Sequence, residues 1–197
     1  VDSDLAEAVE GLQAIFQKRK IRAVFGKNTD ETVRALKKTL SFSPRYMAFL
    51  RASDPLNVET RTPTERIRLI PAAELEREQV GYGRGNEKTP ANPNWKEGWV
   101  VIGFSTLLGD PYVLDMTRPD PEGDCPVMTA MVGSNRKPTL CASNFACFLR
   151  ILTTTMEVAQ DFPAEAVDPD DEDIFREALS PKIRIVDPAA LREGHWT

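Results

Sequence analysis

The sequence predicts an α+β fold, with an antiparallel sheet made of a meander plus a hairpin and flanked by helices. Three observations predict it. Apolar residues recur at spacings of three and four through the first fifty positions, the signature of amphipathic helices. Between Val58 and Val132 the period drops to two, as in half-buried strands. The connections between the strong strand signals are too short for the crossover of about a dozen residues that parallel strands need.

The first helix spans 4–19, with Leu5, Val9, Leu12 and Phe16 on one stripe that Ala8 and Ile15 widen, and Ser3 or Asp4 as its cap. A second covers about 29–40, where Asn28 followed by Glu31 fits a capping box and Val33, Leu36 and Leu40 form the apolar face. A third starts at Ser43, with Pro44 at the first helical position, and stops near Asp54-Pro55; Phe42 and Met47 are placed to staple its entry. Val58–Arg61 and Arg66–Ile70 flank Thr62-Pro63-Thr64-Glu65 as an edge hairpin. Ala72–Val80 reads as a short helix, and 81–98, dense in Gly, Pro and Asn, as a long surface loop. Strands follow at Trp99–Phe104, Tyr112–Met116 and Val127–Val132. A helix from Ser143, its expected cap, to about Gln160 carries Phe145, Phe148, Leu149, Leu152 and Met156 on one side. Beyond it, Ile174, Phe175 and Leu179 predict one more short helix, and Ile183–Val186 an edge strand.

Composition narrows the function classes. With 41% hydrophobic and 28% charged residues the chain is ordinary globular material, and 197 residues suit one core. The domain reading is a single domain over 1–160 and an acidic C-terminal extension, 161–197, packed on or adjoining it. No apolar run approaches the roughly 20 residues of a membrane span, and no leader pattern opens the sequence. The net charge of −5 argues against a protein that coats nucleic acid. It is unevenly spread: between Glu157 and Glu177 stand nine acidic residues and one basic, a local charge of −8, which leaves +3 for the remainder. Cys125, Cys141 and Cys147 form no CxxC pair, so neither a disulfide framework nor a zinc ribbon is expected, and the compartment reads as a reducing cytoplasm.

No motif marks catalysis. His195 is the single histidine, which removes multi-histidine metal sites and leaves no internal base beside Cys147 or any serine. Gly81-Tyr82-Gly83-Arg84-Gly85 lacks the preceding strand and following helix of a phosphate-binding turn. Asp168-Pro169-Asp170-Asp171-Glu172-Asp173 resembles half a calcium loop, but the sixth position holds Asp173 where Gly is needed and the twelfth Leu179 where Glu is needed. Lys18-Arg19-Lys20 complements the end of its helix. The expectation is no catalytic residue, no cofactor and no metal.

Ser43-Pro44-Arg45-Tyr46-Met47-Ala48-Phe49-Leu50, Ile70-Pro71-Ala72-Ala73-Glu74-Leu75, the stretch Ile102-Gly103-Phe104 through Gly109-Asp110-Pro111-Tyr112-Val113-Leu114-Asp115, then Pro126-Val127 and the helix opening at Ser143-Asn144-Phe145 follow one another in an order that resembles the SUKH superfamily. This superfamily includes the Smi/Knr-like family and bacterial toxin-immunity proteins. The resemblance covers about 28–155. It departs at Arg51-Ala52-Ser53-Asp54-Pro55, where the family has an Asn-Gly turn, and in the longer loops 81–98 and 117–126. It implies a non-enzymatic, protein-binding role: an immunity protein of a toxin–antitoxin pair that neutralises a cognate toxin, typically a nuclease. The alternatives are an intracellular regulatory or scaffold module of the Smi/Knr type, and a small-molecule binder with Trp99, Tyr112 and Phe104 around a pocket. Two partner-binding surfaces are expected. One is the loop holding Trp95 and Glu97, with Trp95 exposed and Trp99 in the core. The other is the acidic run Asp168, Asp170, Asp171, Glu172 and Asp173, suited to a basic partner.

Overall fold

A computed structural model describes residues 3–130, 137–163 and 169–197. Helix α1 (Ser3–Lys18) buries Leu5, Ala8, Val9, Leu12, Ile15 and Phe16, the expected stripe. Strand β1 (Val24–Gly26) leads into α2 (Asp30–Lys37), whose cap is Thr29 rather than Asn28: its hydroxyl accepts from the Thr32 N–H at 3.2 Å. Asn28 is drawn away because its side-chain amide donates to Leu50 O at 2.9 Å, at the end of the next helix. That helix, α3 (Pro44–Ser53), has the expected Ser43 cap, with Ser43 Oγ accepting from Tyr46 N at 3.1 Å. It runs straight into β2 (Asp54–Asn57), which pairs antiparallel with β1. That two-stranded sheet had no counterpart in the sequence reading.

The main sheet has six strands in sequential order: β3 (Glu59–Arg61), β4 (Arg66–Leu69), β5 (Trp99–Ser105), β6 (Pro111–Asp115), β7 (Val127–Ala130) and β8 (Pro138–Ala142). All five pairings are antiparallel. This is the predicted hairpin on one edge of the predicted meander, extended by β8. Residues 131 and 132 of the third expected strand lie outside the described residues. Helix α4 (Phe145–Val158) covers the sheet, its Phe148 ring 5.5 Å from that of Tyr112, while Phe145 meets Tyr46 and Phe49 of α3 at 4.9 and 5.0 Å.

Ser143 is not the cap of α4. Asn144 holds that place, accepting from Cys147 N at 2.8 Å, and Ser143 is instead bound through its N–H and hydroxyl to the Asp187 carboxylate at 2.5 and 2.8 Å. The same carboxylate caps α6 (Pro188–Arg192). Ile183–Val186 is not an edge strand either. It is the last turn of α5 (Pro169–Val186), because Phe175, Leu179 and Ile183 recur every four residues and all three are buried. Trp196 closes the chain onto β8, its indole N–H donating to Cys141 O at 2.7 Å.

Ala72–Val80 forms turns and a single 3-10 turn at Arg77–Gln79 rather than the expected short helix, and the reason lies in Gln79. Beyond Ile70, whose N–H still donates to Ile102 O at 2.9 Å, the chain no longer pairs with β5, and the register of β5 slips between Val101 and Gly103. There the buried Gln79 amide takes the place of a strand. Its Oε1 accepts from Val101 N at 2.9 Å, while its Nε2 donates to Val101 O at 2.9 Å and Leu75 O at 2.8 Å. Gly103 is required beside it, since a Cβ would stand 2.9 Å from Arg68 O.

Replacing Gln79 by Leu keeps the volume but orphans three buried backbone groups. Stability should fall by about 2–4 kcal/mol, with Gln79→Glu no better, because its carboxylate cannot donate. Urea unfolding measures this, and a loss below about 1 kcal/mol would show that the amide does not replace a strand.

Candidate functional site

The two surfaces singled out in the sequence take different forms. The 81–98 loop is folded down rather than held open. Trp95 is half-buried, not exposed: its ring lies 4.9 Å from Tyr82 and 5.5 Å from Trp99, and its indole N–H donates to Trp99 O at 3.0 Å. The glycines serve this packing, since a Cβ on Gly83 would meet Trp95 Cδ1 at 2.9 Å. Trp99 is buried as expected, with Lys96 5.1 Å over its ring. Trp95 and the exposed Glu97 line a shallow groove of about 320 Å³ together with Thr39, Arg84 and Trp99. Arg84 is tied down there, donating to Thr39 O.

Asp170, Asp171 and Glu172 stand in the first turn of α5, where the helix dipole favours them, and Asp173 follows them; Asp168 lies outside the described residues. None of these acids lines the groove of Trp95 and Glu97. Helix α5 has two unlike faces. Phe175, Leu179 and Ile183 point into the core, whereas Ile174, Ala178, Pro181 and Ile185, also spaced by three and four, are exposed. Ile174 is 55% and Ile185 83% exposed, and the exposed Asp170, Asp173 and Glu177 run along one side of this stripe.

The pocket expected around Trp99, Tyr112 and Phe104 does not form. Tyr112 is fully buried beneath Phe148, while Phe104 is covered by the Tyr82 ring at 6.0 Å. A different cleft of about 240 Å³ opens between the β3–β4 turn, the β5–β6 turn, α5 and the C-terminal segment. Thr62 builds its first wall. Its hydroxyl donates to Glu65 O at 2.9 Å and accepts from Glu65 N at 3.0 Å, which closes the hairpin and fixes Glu65. The neighbouring turn is closed by Ser105 N donating to Asp110 O at 2.8 Å and by Gly109 at φ +78°, a left-handed conformation that favours glycine.

These turns converge on a chain of side chains that the sequence reading did not assemble. Ser105 Oγ donates to Glu65 Oε1 at 2.6 Å, Arg66 N to the same oxygen at 2.9 Å, and Tyr112 Oη to Glu65 Oε2 at 3.2 Å. His195 Nε2 stands 2.9 Å from Tyr112 Oη. The tyrosine has one proton, so giving it to Glu65 assigns the His195 proton to Nε2. Burial pushes the Glu65 carboxyl upward, and its hydrogen bonds only partly offset this. Burial, and then the Arg176 guanidinium, holds His195 down to about 4, so the imidazole is neutral at pH 7. Positions 65, 105, 112 and 195 are too far apart in sequence for any spacing to show this cluster; the pairing of β4 with β5 and of β5 with β6 brings the first three together, and the C-terminal segment adds His195.

The thiols carry no comparable chemistry, as burial raises Cys125 and Cys147 to about 11. Among the described residues, no group of three or more His, Cys, Asp or Glu side chains is placed to hold a metal, and no helix is long and apolar enough to cross a membrane. No family model, curated protein or solved structure matches the chain.

The imidazole makes stability depend on pH with a definite sign. Between pH 6.5 and about 4 the unfolded imidazole binds a proton that the folded one refuses, so stability from this group is complete above 6.5 and falls on acidification. The raised Glu65 acts in the opposite direction, but it is retained when only His195 is changed. Relative to His195→Gln, the native chain should therefore lose up to about 3 kcal/mol from pH 7.5 to pH 4.5. A pH-independent difference in urea unfolding would refute the neutral imidazole.

Proposed function

We propose that this chain is a non-enzymatic protein-binding module of the SUKH immunity type, which captures and neutralises a cognate toxin bearing a basic surface, such as the substrate groove of a nuclease. One observation carries the reading: the outward face of α5, where Ile174, Ala178, Pro181 and Ile185 form an apolar stripe edged by Asp170, Asp173 and Glu177. Isoleucines exposed to this degree are costly to leave in water, and an apolar centre with a charged rim is the anatomy of a protein interface. The acids steer a basic partner to the face and the stripe supplies the desolvated contact. The Trp95 groove is the lesser surface, because its indoles are already committed to one another and to Trp99 O.

The test pairs the chain with the toxin-like product of the gene adjoining its own. Binding should be measurable with both purified proteins, and co-expression should restore growth to cells carrying the toxin. Ile174→Asp with Ile185→Asp should weaken the complex by about 1–3 kcal/mol without lowering thermal stability, since both side chains face water. Asp170→Asn with Asp173→Asn should slow association about three- to tenfold and flatten its salt dependence, leaving dissociation nearly unchanged. Neither binding nor protection by the native chain would remove the immunity reading; full binding by the isoleucine variant would remove α5 as the contact.

A further inference from the structure

We propose that the cleft beside Glu65 is a binding site for a small organic cation, an ammonium group carried on an apolar body. Its volume of about 240 Å³ lies just below the range of roughly 300–1,000 Å³ typical of drug-sized ligands, which suits a smaller molecule. Ile67, Leu108, Phe175, Leu179 and Trp196 line it, so a ligand's carbon skeleton meets an apolar wall. Its polar lining includes two carboxylates, Glu65 and Asp110, together with Arg176 and His195.

The cation follows from how Glu65 is held. Its three donors, Ser105 Oγ, Arg66 N and Tyr112 Oη, are all neutral groups, and among the described residues no lysine or arginine pairs with it. Elsewhere the carboxylates of Asp4, Glu74, Asp115 and Asp124 each have an arginine within 4.0 Å. Glu65 is thus a half-buried carboxylate with its geometry fixed by neutral donors and no ion-pair partner among the described residues. The Asp110 carboxylate lines the same cleft and adds to the upward push on Glu65 that burial begins. An ammonium group there would make charge-assisted hydrogen bonds in a cleft only partly open to water. Arg176 also lines the cleft; its guanidinium donates to His195 O at 3.5 Å and forms no ion pair with Glu65. The inference does not rest on the immunity reading, because the cleft faces the inner side of α5 and the proposed contact its outer side.

Titration of the full chain with benzylammonium, benzyl alcohol and benzoate at pH 7.5, followed by calorimetry and NMR, tests this. Benzylammonium should bind saturably, at least about tenfold tighter than the isosteric alcohol, and benzoate should not bind. The shifted resonances should be those of Ile67, Leu108 and Trp196. Glu65→Gln should erase the preference for the cation while circular dichroism stays native. Should that variant fail to fold, Leu108→Ala serves instead: its side chain is 62% exposed, and its loss should weaken benzylammonium about threefold. No saturable binding, equal binding of the alcohol, preference for benzoate, or unchanged affinity in the variant that folds would each overturn the proposal.

Discussion

The fold depends on one buried carboxylate. Asp124, fully buried, sits at the N-terminus of α4 and accepts hydrogen bonds from its own neighbour Cys125 N at 2.7 Å and from Ala146 N at 3.1 Å. Arg45 of α3 reaches the same group at 3.5 Å and Asp4 of α1 at 3.3 Å, and Asp4 in turn pairs with Arg150 of α4. Three helices and the loop before β7 are therefore locked at one point. Burial still raises the Asp124 carboxyl above its ordinary value, so these partners offset desolvation without fully cancelling it. Such a group adds little net stability as a pair but costs about 3–5 kcal/mol to break, which fixes the position of α4 more than it strengthens the fold. Everything that α4 covers, including Tyr112 beneath Phe148, inherits that position.

What was legible in the sequence were the features whose cause is local. The stripe of α1, the Ser43-Pro44 start of α3, the hairpin closed at Thr62–Glu65 and the meander β5–β6–β7 all follow from residues within a few positions of one another. The readings that failed did so where a distant group competes with the local one. Asn28 has the right chemistry for a cap, but Leu50 O claims it; Ser143 likewise, but Asp187 claims it. Gln79 imitates a strand across 22 positions, and no propensity encodes that. Ile183–Val186 alternates like a strand, but its helical register with Phe175 and Leu179 buries more.

The candidate surfaces follow the same division. The acidic run was visible because charge is counted along the chain, and its place at the start of α5 follows from helix electrostatics. Its apolar companion on the outer face was not visible, because Ile174 is grouped with Phe175 and Leu179 in one short helix and Ile185 falls in the expected edge strand, and only the single long helix α5 sets Ile174 and Ile185 on the face opposite Phe175, Leu179 and Ile183. The Glu65 cluster was hidden more deeply. Each member has a bland local role, a turn residue, a strand end, a core tyrosine and a histidine near the last residue, and only their convergence gives them chemistry.

Helix α5 lies between the two proposed sites, its Leu179 lining the cleft and its Ile174 and Ile185 facing outward. A ligand influences a distant contact only through an element that has two arrangements and binds differently to each. The inner face of α5 is fixed by Phe175, Leu179 and Ile183, and by Asp187 at its end, which is bonded both to Ser143 and to the first turn of α6. A cation that fills the existing cleft meets α5 where it already stands and has no second arrangement to favour. The two sites should therefore act independently, and any coupling between them would have to arise from displacement of His195 and Trp196, which contact the cleft and anchor the chain to Tyr112 and Cys141.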